Sequence, residues 1–488
     1  MRDRRSEIMG FFSRIKEWFM GLFKKDDYLR MTNIQPQIGD GMMELINSWR
    51  DIYSGNPPWL NSESCPETIG FAQTVCSDIA SKAVCEVVAS TGVDDTDKVL
   101  QELISDLRGE TEEMLAKGAV VARPYYDPSS RKVRVAWYPA DRVVPLTWEA
   151  GRLMSACLLD FSRGDTQSTS SVTYCKVEAH VWSAGTDTIT VKAFTWNGGA
   201  LGNEVPLSTI SAWADIEPGP IEVKNLSGPL FVYAKTQVKN YIDGSPVGVS
   251  IFASALPILE EMDKIWNDAS WEREAGRAKA FVDETMIPQK IVDGNIVEDI
   301  NVFDRKYYKK LAGNVENTNK LFEVHNPQMR LDQYQAYMDK QTVLACKKMH
   351  LDAKAFTVDV QGSPVTAQQI LTEKNDTYTT ILDIQNNSLL PALKEIYRIS
   401  ADIQYLYGVR EGRIPAVDDI TITFGDSVMT DEETEKKNAQ TECQIGLRSK
   451  LSYLMQYRNM SEEDALKELE RIKAETPVVD YFGESAGA

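Results

Sequence analysis

Residues Ser245–Glu272, SPVGVSIFASALPILEEMDKIWNDASWE, decide how this chain is read, because their opening occurs twice. GSPV stands at Gly244–Val247 and again at Gly362–Val365, and a long stretch with helical spacing follows each copy. A serine accepts backbone N–H groups as an N-cap, and proline suits the first helical position, where no donor is needed. Ser245 with Pro246, and Ser363 with Pro364, therefore predict two helix starts. The residues behind the two copies do not align, so this is one capping chemistry used twice and not an internal repeat.

After the first copy, Gly248 and Pro257 predict a short helix, a break near Pro257, and a longer helix to about residue 280. Its apolar face reads Ile258, Met262, Ile265, Trp266 and Ala269. After the second copy the spacing predicts a helix of roughly 44 residues, about 65 Å at 1.5 Å per residue, kinked at Pro391. A rod far longer than ordinary globular helices has to lie against a neighbour in a ring or a stack of domains. Between the two, IPQKIVDGNIVEDINVF (Ile287–Phe303) loses helical period and carries Asp293-Gly294, a hairpin signal. DRKYYKKL follows as a small basic and aromatic cluster, suited to DNA or an acidic partner, although such runs are more often simply exposed. Helix returns over 331–350, and LDAKAFTVDVQ (Leu351–Gln361) has no clear period.

Outward from this centre, Val133, Val135 and Trp137 alternate, and VTYCKVEAHVW (Val172–Trp182) and TITVKAFTW (Thr188–Trp196) read as strands joined through Ala184-Gly185. Segment 120–235 is expected to be β-rich and mostly antiparallel. Two helices precede it, over 67–92 and about 96–118, the second ending on Gly118 as a C′ residue would. Residues 26–62, with Pro36, Pro57 and Pro58, are expected to be irregular. ITITF (Ile420–Phe424) predicts a strand, and Ser461 opens a C-terminal helix with Leu466, Leu469 and Ile472 on one face.

At 488 residues the chain suggests two to four domains, and 43% hydrophobic with 26% charged residues is ordinary for a folded protein. A net charge of −19 argues against wrapping tightly around DNA, which needs surplus Lys and Arg. It leaves open DNA that is conducted past the surface. Seven cysteines, none in a CxxC pair, and three histidines argue against zinc; with no secretory leader they fit a reducing cytoplasm. No run of 18 apolar residues exists. IMGFFSRIKEWFMGLFKK (Ile8–Lys25) forms one apolar helical face, readable as an interfacial membrane helix or as an arm packed on protein, and the second reading is preferred. No Walker loop, HExxH, G-x-S-x-G or G-x-G-x-x-G is present. Acidic pairs such as Glu260-Glu261 read as surface charge, and His180 reads as structural. No cofactor and no enzyme activity are expected.

The order of segments resembles the portal proteins of tailed bacteriophages. GFFSRIKEWF (Gly10–Phe19) looks like their N-terminal opening, Ser245–Glu272 is similar to the lead into a stem helix, and GSPVTAQQILTEKNDTYTTI (Gly362–Ile381) looks like the start of their long helix. The likeness covers most of the chain. It implies an α+β fold with wing, stem, clip and crown. The parts would be an N-terminal arm at 1–35, a wing at 36–256, stem helices at 257–282 and 331–350, and a clip at 283–330. A tunnel loop at 351–363, a long wing helix and strand at 364–427, and a crown at 428–488 complete it.

The resemblance also implies a ring, typically of about twelve copies, at one capsid vertex. It passes double-stranded DNA inward, docks the terminase large subunit and later a head–tail adaptor, and meets major capsid or scaffold protein. It has no small-molecule substrate, and it belongs to the virion after assembly in the host cytoplasm. Asp352, Lys354 and Asp359 would fall in the tunnel loop, with Lys354 reaching the lumen or lying as a plain surface lysine. Arg305, Lys306, Tyr307, Tyr308, Lys309 and Lys310 would fall in the clip. An acidic channel wall suits this role, because it repels phosphates and does not hold its cargo. The alternative is a head–tail adaptor or scaffold without a channel; an acidic hydrolase is a more distant rival.

Overall fold

The computed structural model describes residues 25–61, 63–85, 87–90, 101–102, 104–163, 172–197, 200–283, 289–292, 295–298, 308–311, 322–325, 327–357, 376–408, 420–424, 439–443, 445, 447–458 and 462–475. The chain divides into two units, Met1–Val84 with Ala89–Ile422, and Cys85–Val88 with Thr423–Ala488.

The first unit opens with two helices where irregular chain was expected, α1 (Lys25–Thr32) and α2 (Asp40–Tyr53). Met42, Leu45, Ile46, Trp49 and Ile52 are buried along α2 at three- and four-residue spacing, so its periodicity outweighs the flanking prolines. Helix α3 (Phe71–Ala83) is shorter than the expected 67–92 and gives way to strand β1 (Val88–Ser90). Its last carbonyl, on Ala83, accepts the Gln385 side-chain amide at 3.0 Å. Helix α4 (Leu107–Lys117) ends as expected on Gly118 at φ 91°.

Strands β2 (Ala119–Asp127), β3 (Lys132–Pro139), β4 (Val143–Glu149), β5 (Arg152–Arg163), β6 (Thr173–Ser183), β7 (Thr186–Asn197), β8 (Ala200–Val205), β9 (Ile221–Val223) and β10 (Val232–Lys235) follow. They form a three-stranded sheet, β10-β2-β3, and a six-stranded sheet, β4-β5-β6-β7-β8 with β9 beside β8 on the edge of β7. Every pairing in these two sheets is antiparallel, as expected. Ala184 and Gly185, at φ 46° and 80°, make the predicted β6–β7 turn. Val121, Tyr138, Val143, Leu153, Ala156, Leu158 and Phe231 form a core shared by the two sheets.

No helix begins at Ser245 and Pro246, which corrects the first predicted cap. Ser245 donates its N–H to Asp243 Oδ1 at 2.9 Å, and its hydroxyl accepts Asn240 Nδ2 at 3.1 Å, so its polar groups serve a turn. The segment beyond crosses the end of α4 instead. A Cβ on Gly248 would stand 2.0 Å from the Gly118 oxygen. The Ile251 N–H donates to Leu115 O at 3.0 Å and Ser250 Oγ to the same oxygen at 3.4 Å. These bonds serve one of the carbonyls a helix C-terminus leaves free, and a helical 245–252 would forfeit them. Pro257 does not break a helix either; it stands in the first turn of α5 (Leu256–Ala275), where its missing N–H costs nothing. The helix stops at Gly276 and not near residue 280, and the tight turn there suits glycine, since a Cβ would meet the Glu272 oxygen at 2.7 Å.

Helix α6 (Leu331–Lys348) matches its expected span. The second cap, Ser363 and Pro364, lies outside the described residues. From 376 the chain is helical, passes through a π turn at Ile384–Leu389, and continues as α7 (Leu390–Leu406). The site of the π turn follows from Pro391, which cannot donate to Asn387 O four residues back. That oxygen accepts Gln237 Nε2 at 2.9 Å instead. Strand β16 (Thr421–Thr423), as expected from ITITF, pairs with β1.

Helices α8 (Lys450–Arg458) and α9 (Glu462–Glu475) belong to the second unit. Ala439 and Ala465 are buried there, and Tyr453 accepts Gln440 Nε2 at 2.9 Å.

Candidate functional site

Helices α5 and α6 form an antiparallel pair fastened at both ends. Arg330, just before α6, donates its backbone N–H, Nε and Nη2 to Glu272 near the end of α5, at 2.8, 3.2 and 2.8 Å. These bonds hold the Glu272 carboxyl down at about 2. At the opposite end, Ser254 Oγ donates to Lys348 O and Lys348 Nζ donates to Ser254 O, both at 3.0 Å. Between the clamps, buried Asp263 accepts Trp59 Nε1 at 2.8 Å and the Ile69 N–H at 2.9 Å. Asn267 donates to Glu67 O at 2.7 Å and accepts the Glu67 N–H at 3.2 Å. The inner face of α5 is thus partly polar, and it fixes the segment that leads into α3.

The far end of this hairpin carries an insertion. Strand β11 (Lys279–Asp283) pairs in parallel with β14 (Tyr308–Leu311) and antiparallel with β15 (Phe322–His325). Strands β12 (Gln289–Val292) and β13 (Asn295–Glu298) pair antiparallel across the Asp293-Gly294 position, as the hairpin signal predicts. Of the basic and aromatic cluster, Tyr308, Lys309 and Lys310 stand on β14; Arg305, Lys306 and Tyr307 lie outside the described residues.

Beyond α6 the chain turns sharply. His350 has φ 57°, and the Leu351 N–H returns to Cys346 O at 2.9 Å. Asp352 caps a single 3-10 turn by accepting the Lys354 N–H at 3.0 Å. Thr377 Oγ1 accepts the Asp352 N–H at 2.7 Å, Thr380 Oγ1 donates to His350 O at 2.8 Å, and Phe356 meets the Phe71 ring edge-on at 5.6 Å. Asp352 and exposed Lys354 are thus brought together on an anchored turn, while Asp359 lies outside the described residues. The structure places this turn and the β14 cluster on separate elements.

Aromatic exposure was missed in sequence. Trp266, assigned above to the apolar face, is 46% exposed, and Trp271 is 71% exposed. Five positions apart, they point about 140° apart around α5. On α6, Tyr337 and Leu344 are exposed on one stripe, with Lys340 and Lys347 beside them. The tryptophans were visible as residues, but Met262 and Ile265 in the same helix are buried, and periodicity does not tell which flank a neighbour covers.

His180 is fully buried in the six-stranded sheet. Its Nδ1 lies 2.9 Å from Asp187 Oδ2 and its Nε2 3.1 Å from Glu178 Oε1, and the Arg123 guanidinium also pairs with Glu178. Burial alone would lower the imidazole, yet Asp187 and Glu178 hold it up at about 9, so it is an imidazolium at neutral pH. It serves strand-to-strand bonding, in line with a structural role. Among the described residues no His, Cys, Asp and Glu group is arranged to hold a metal, all seven cysteines are free, and no helix is long and apolar enough to cross a membrane.

The fold and this site define a class: an α+β protein built on a braced helical hairpin that carries a β-insertion at its tip and presents aromatic surface on its flanks. The family model described as "Phage portal protein, SPP1 Gp6-like" matches residues 106–477, more than half of the chain. The chain belongs to the phage portal protein family, a structural and non-enzymatic family. It is also similar to a chain of "Virion of native gene transfer agent (GTA) particle", at 11% identity and a TM-score of 0.36, covering 82% of this chain and 89% of that one. A chain of "Neck of empty GTA particle computed with C6 symmetry" aligns at 11% identity and a TM-score of 0.37, covering 86% and 94%. None of the curated proteins compared matches the chain.

Proposed function

We propose that copies of this chain close into a ring, of about twelve subunits by the family resemblance, at one vertex of a capsid. Double-stranded DNA runs along its axis during packaging and again during ejection. Helices α5 and α6 are the stem, and the insertion over 279–325 is the clip. The clip takes the terminase large subunit through Tyr308, Lys309 and Lys310 on β14, and later a head–tail adaptor. The turn bearing Asp352 and Lys354 borders the channel, the β-rich sheets are the wing facing capsid or scaffold protein, and α8 and α9 belong to the crown. The ring forms in the host cytoplasm and stays in the virion.

The observation that carries this reading is the pair of exposed tryptophans on different flanks of one helical hairpin. A two-fold dimer uses one patch on each subunit and leaves the other flank wet. A head-to-tail contact uses two different patches, and it closes into a ring when the rotation permits. Family membership and the net charge of −19 favour the same reading. Negative-stain electron microscopy of the purified full chain tests it. Rings with an axial opening are expected; monomers at every concentration, or a disc with no opening, overturn it.

A further inference from the structure

Lys82, Lys117 and Lys176, each half-buried or buried, stand within 3.3 Å of a carboxylate oxygen. Lys235, at the end of β10, does not. Its side chain is half-buried, its ammonium donates to Pro246 O at 2.8 Å, and no carboxylate among the described residues forms an ion pair with it. It faces a cavity of about 300 Å³ that is also lined by Lys239, Gln237, Asn240, Ser245 and Val247. The nearest acid in this loop, Asp243, does not line the cavity; its Oδ1 accepts Asn240 Nδ2 at 2.8 Å and the Ser245 N–H at 2.9 Å.

The walls are held in place before anything binds. Thr236 is fixed through its N–H to Gly118 O at 3.0 Å and its hydroxyl to Val249 O at 2.6 Å. Gln237 is tied to Asn387 O, and Asn240 braces the loop through Ile242 N–H at 3.0 Å and Val247 O at 3.3 Å. Donors remain unused: two ammonium protons of Lys235, the exposed Lys239 ammonium, and the backbone N–H groups of Val238 and Lys239, which donate to nothing among the described residues.

We infer that this cavity binds a phosphate-sized oxyanion, either free inorganic phosphate or a backbone phosphate of double-stranded DNA. A half-buried ammonium without a counter-charge is costly, and an anion removes that cost. Desolvation is the influence that lowers the Lys235 ammonium, which agrees with the lack of an acid beside it. Lysine binds phosphate as a point charge, and backbone N–H groups add directed donors. The volume equals roughly ten waters at about 30 Å³ each, ample for a tetrahedral oxyanion. No carboxylate lines it to hold a cation, and no aromatic face lines it to stack a base. The inference does not depend on ring formation.

The test compares the full chain with Lys235→Met, which keeps the packed stem, and with Lys239→Gln. Thermal unfolding is followed in sodium phosphate and in sodium chloride at matched ionic strength. The unmodified protein should gain stability in phosphate over chloride, with Lys235→Met needing at least about tenfold more phosphate for the same shift. Fluorescence anisotropy with a short DNA duplex supplies the second arm. If the phosphate comes from DNA, the slope of log affinity against log salt falls by about one per lysine removed. If duplex binding is unchanged while the phosphate shift is lost, the ligand is free phosphate. Equal phosphate shifts in the unmodified protein and both variants overturn the inference. Should Lys235→Met fail to fold, exposed Lys239→Gln decides alone: an unchanged phosphate requirement there overturns it.

Discussion

At the scale of single residues, this protein stores its risk in buried charge. Asp187 is fully buried, and its Oδ2 takes the His180 imidazolium at 2.9 Å and the Leu230 N–H at 2.9 Å. Glu178 retains Arg123 if His180 is lost, but Asp187 retains only a neutral donor. His180→Leu should therefore destabilise the fold by about 3–5 kcal/mol, the range for breaking a buried ion network from one side. Chemical denaturation at pH 7 measures it. The pH dependence carries a sign that can be checked. The folded pKa is raised to about 9 from an ordinary 6.5, so this contribution is fully present below about pH 6.5 and is lost as pH rises through about 9. Stability of the unmodified protein should fall across that window, and the fall should be shallower in His180→Leu. Equal slopes would mean that His180 is neutral in the folded state.

At the scale of elements, the joints matter more than the rods. Gly248→Ala should destabilise by more than about 3 kcal/mol, read as a shift of the denaturation midpoint, because its Cβ would stand 2.0 Å from the Gly118 oxygen. The clamp at the other end of the hairpin acts differently. Glu272→Gln removes the carboxylate that receives three bonds from Arg330. Hydrogen exchange should rise over 327–334 while amides of β6 and β7 stay protected. The Glu272 carboxyl sits at about 2 against an ordinary 4.5, so its contribution is present above about pH 4.5 and fades as pH falls toward 2. What could be read beforehand follows the same division. Local chemistry was legible: the alternation at Val133 and Val135, the antiparallel pairing of β12 with β13 signalled by Asp293-Gly294, Gly118 ending α4, and the span of α6. Ser245-Pro246 was misread because a serine beside a proline serves turns as well as caps, and what decides is Gly248 against Gly118, 130 positions away in the chain. Glu272 and Arg330, 58 positions apart, were invisible for the same reason. Helix α2 was legible and overlooked, its apolar spacing hidden behind nearby prolines.

At the scale of the whole molecule, the exposed indoles of Trp266 and Trp271 are where the proposed ring can be tested. If rings form head to tail, the flank bearing Trp271 on each subunit meets the opposite flank, bearing Trp266, on the next. Trp271→Glu and Trp266→Glu should then each abolish rings, since one defective patch per subunit interrupts every contact around the circle. Both chains should stay folded, because both indoles are exposed and neither variant opens a cavity. Mixing the two variants gives a sharper outcome. A Trp266→Glu subunit keeps an intact Trp271 flank, and a Trp271→Glu subunit keeps an intact Trp266 flank. One good contact can form between them and no third subunit can join, so an equimolar mixture should yield one-to-one pairs by analytical ultracentrifugation, with neither variant pairing alone. A two-fold contact predicts otherwise: only one tryptophan would matter, and mixing would restore nothing. Recovery of pairs only on mixing is the signature of a head-to-tail interface. Rings that survive either substitution would remove these flanks from the assembly and place the contact elsewhere on the chain.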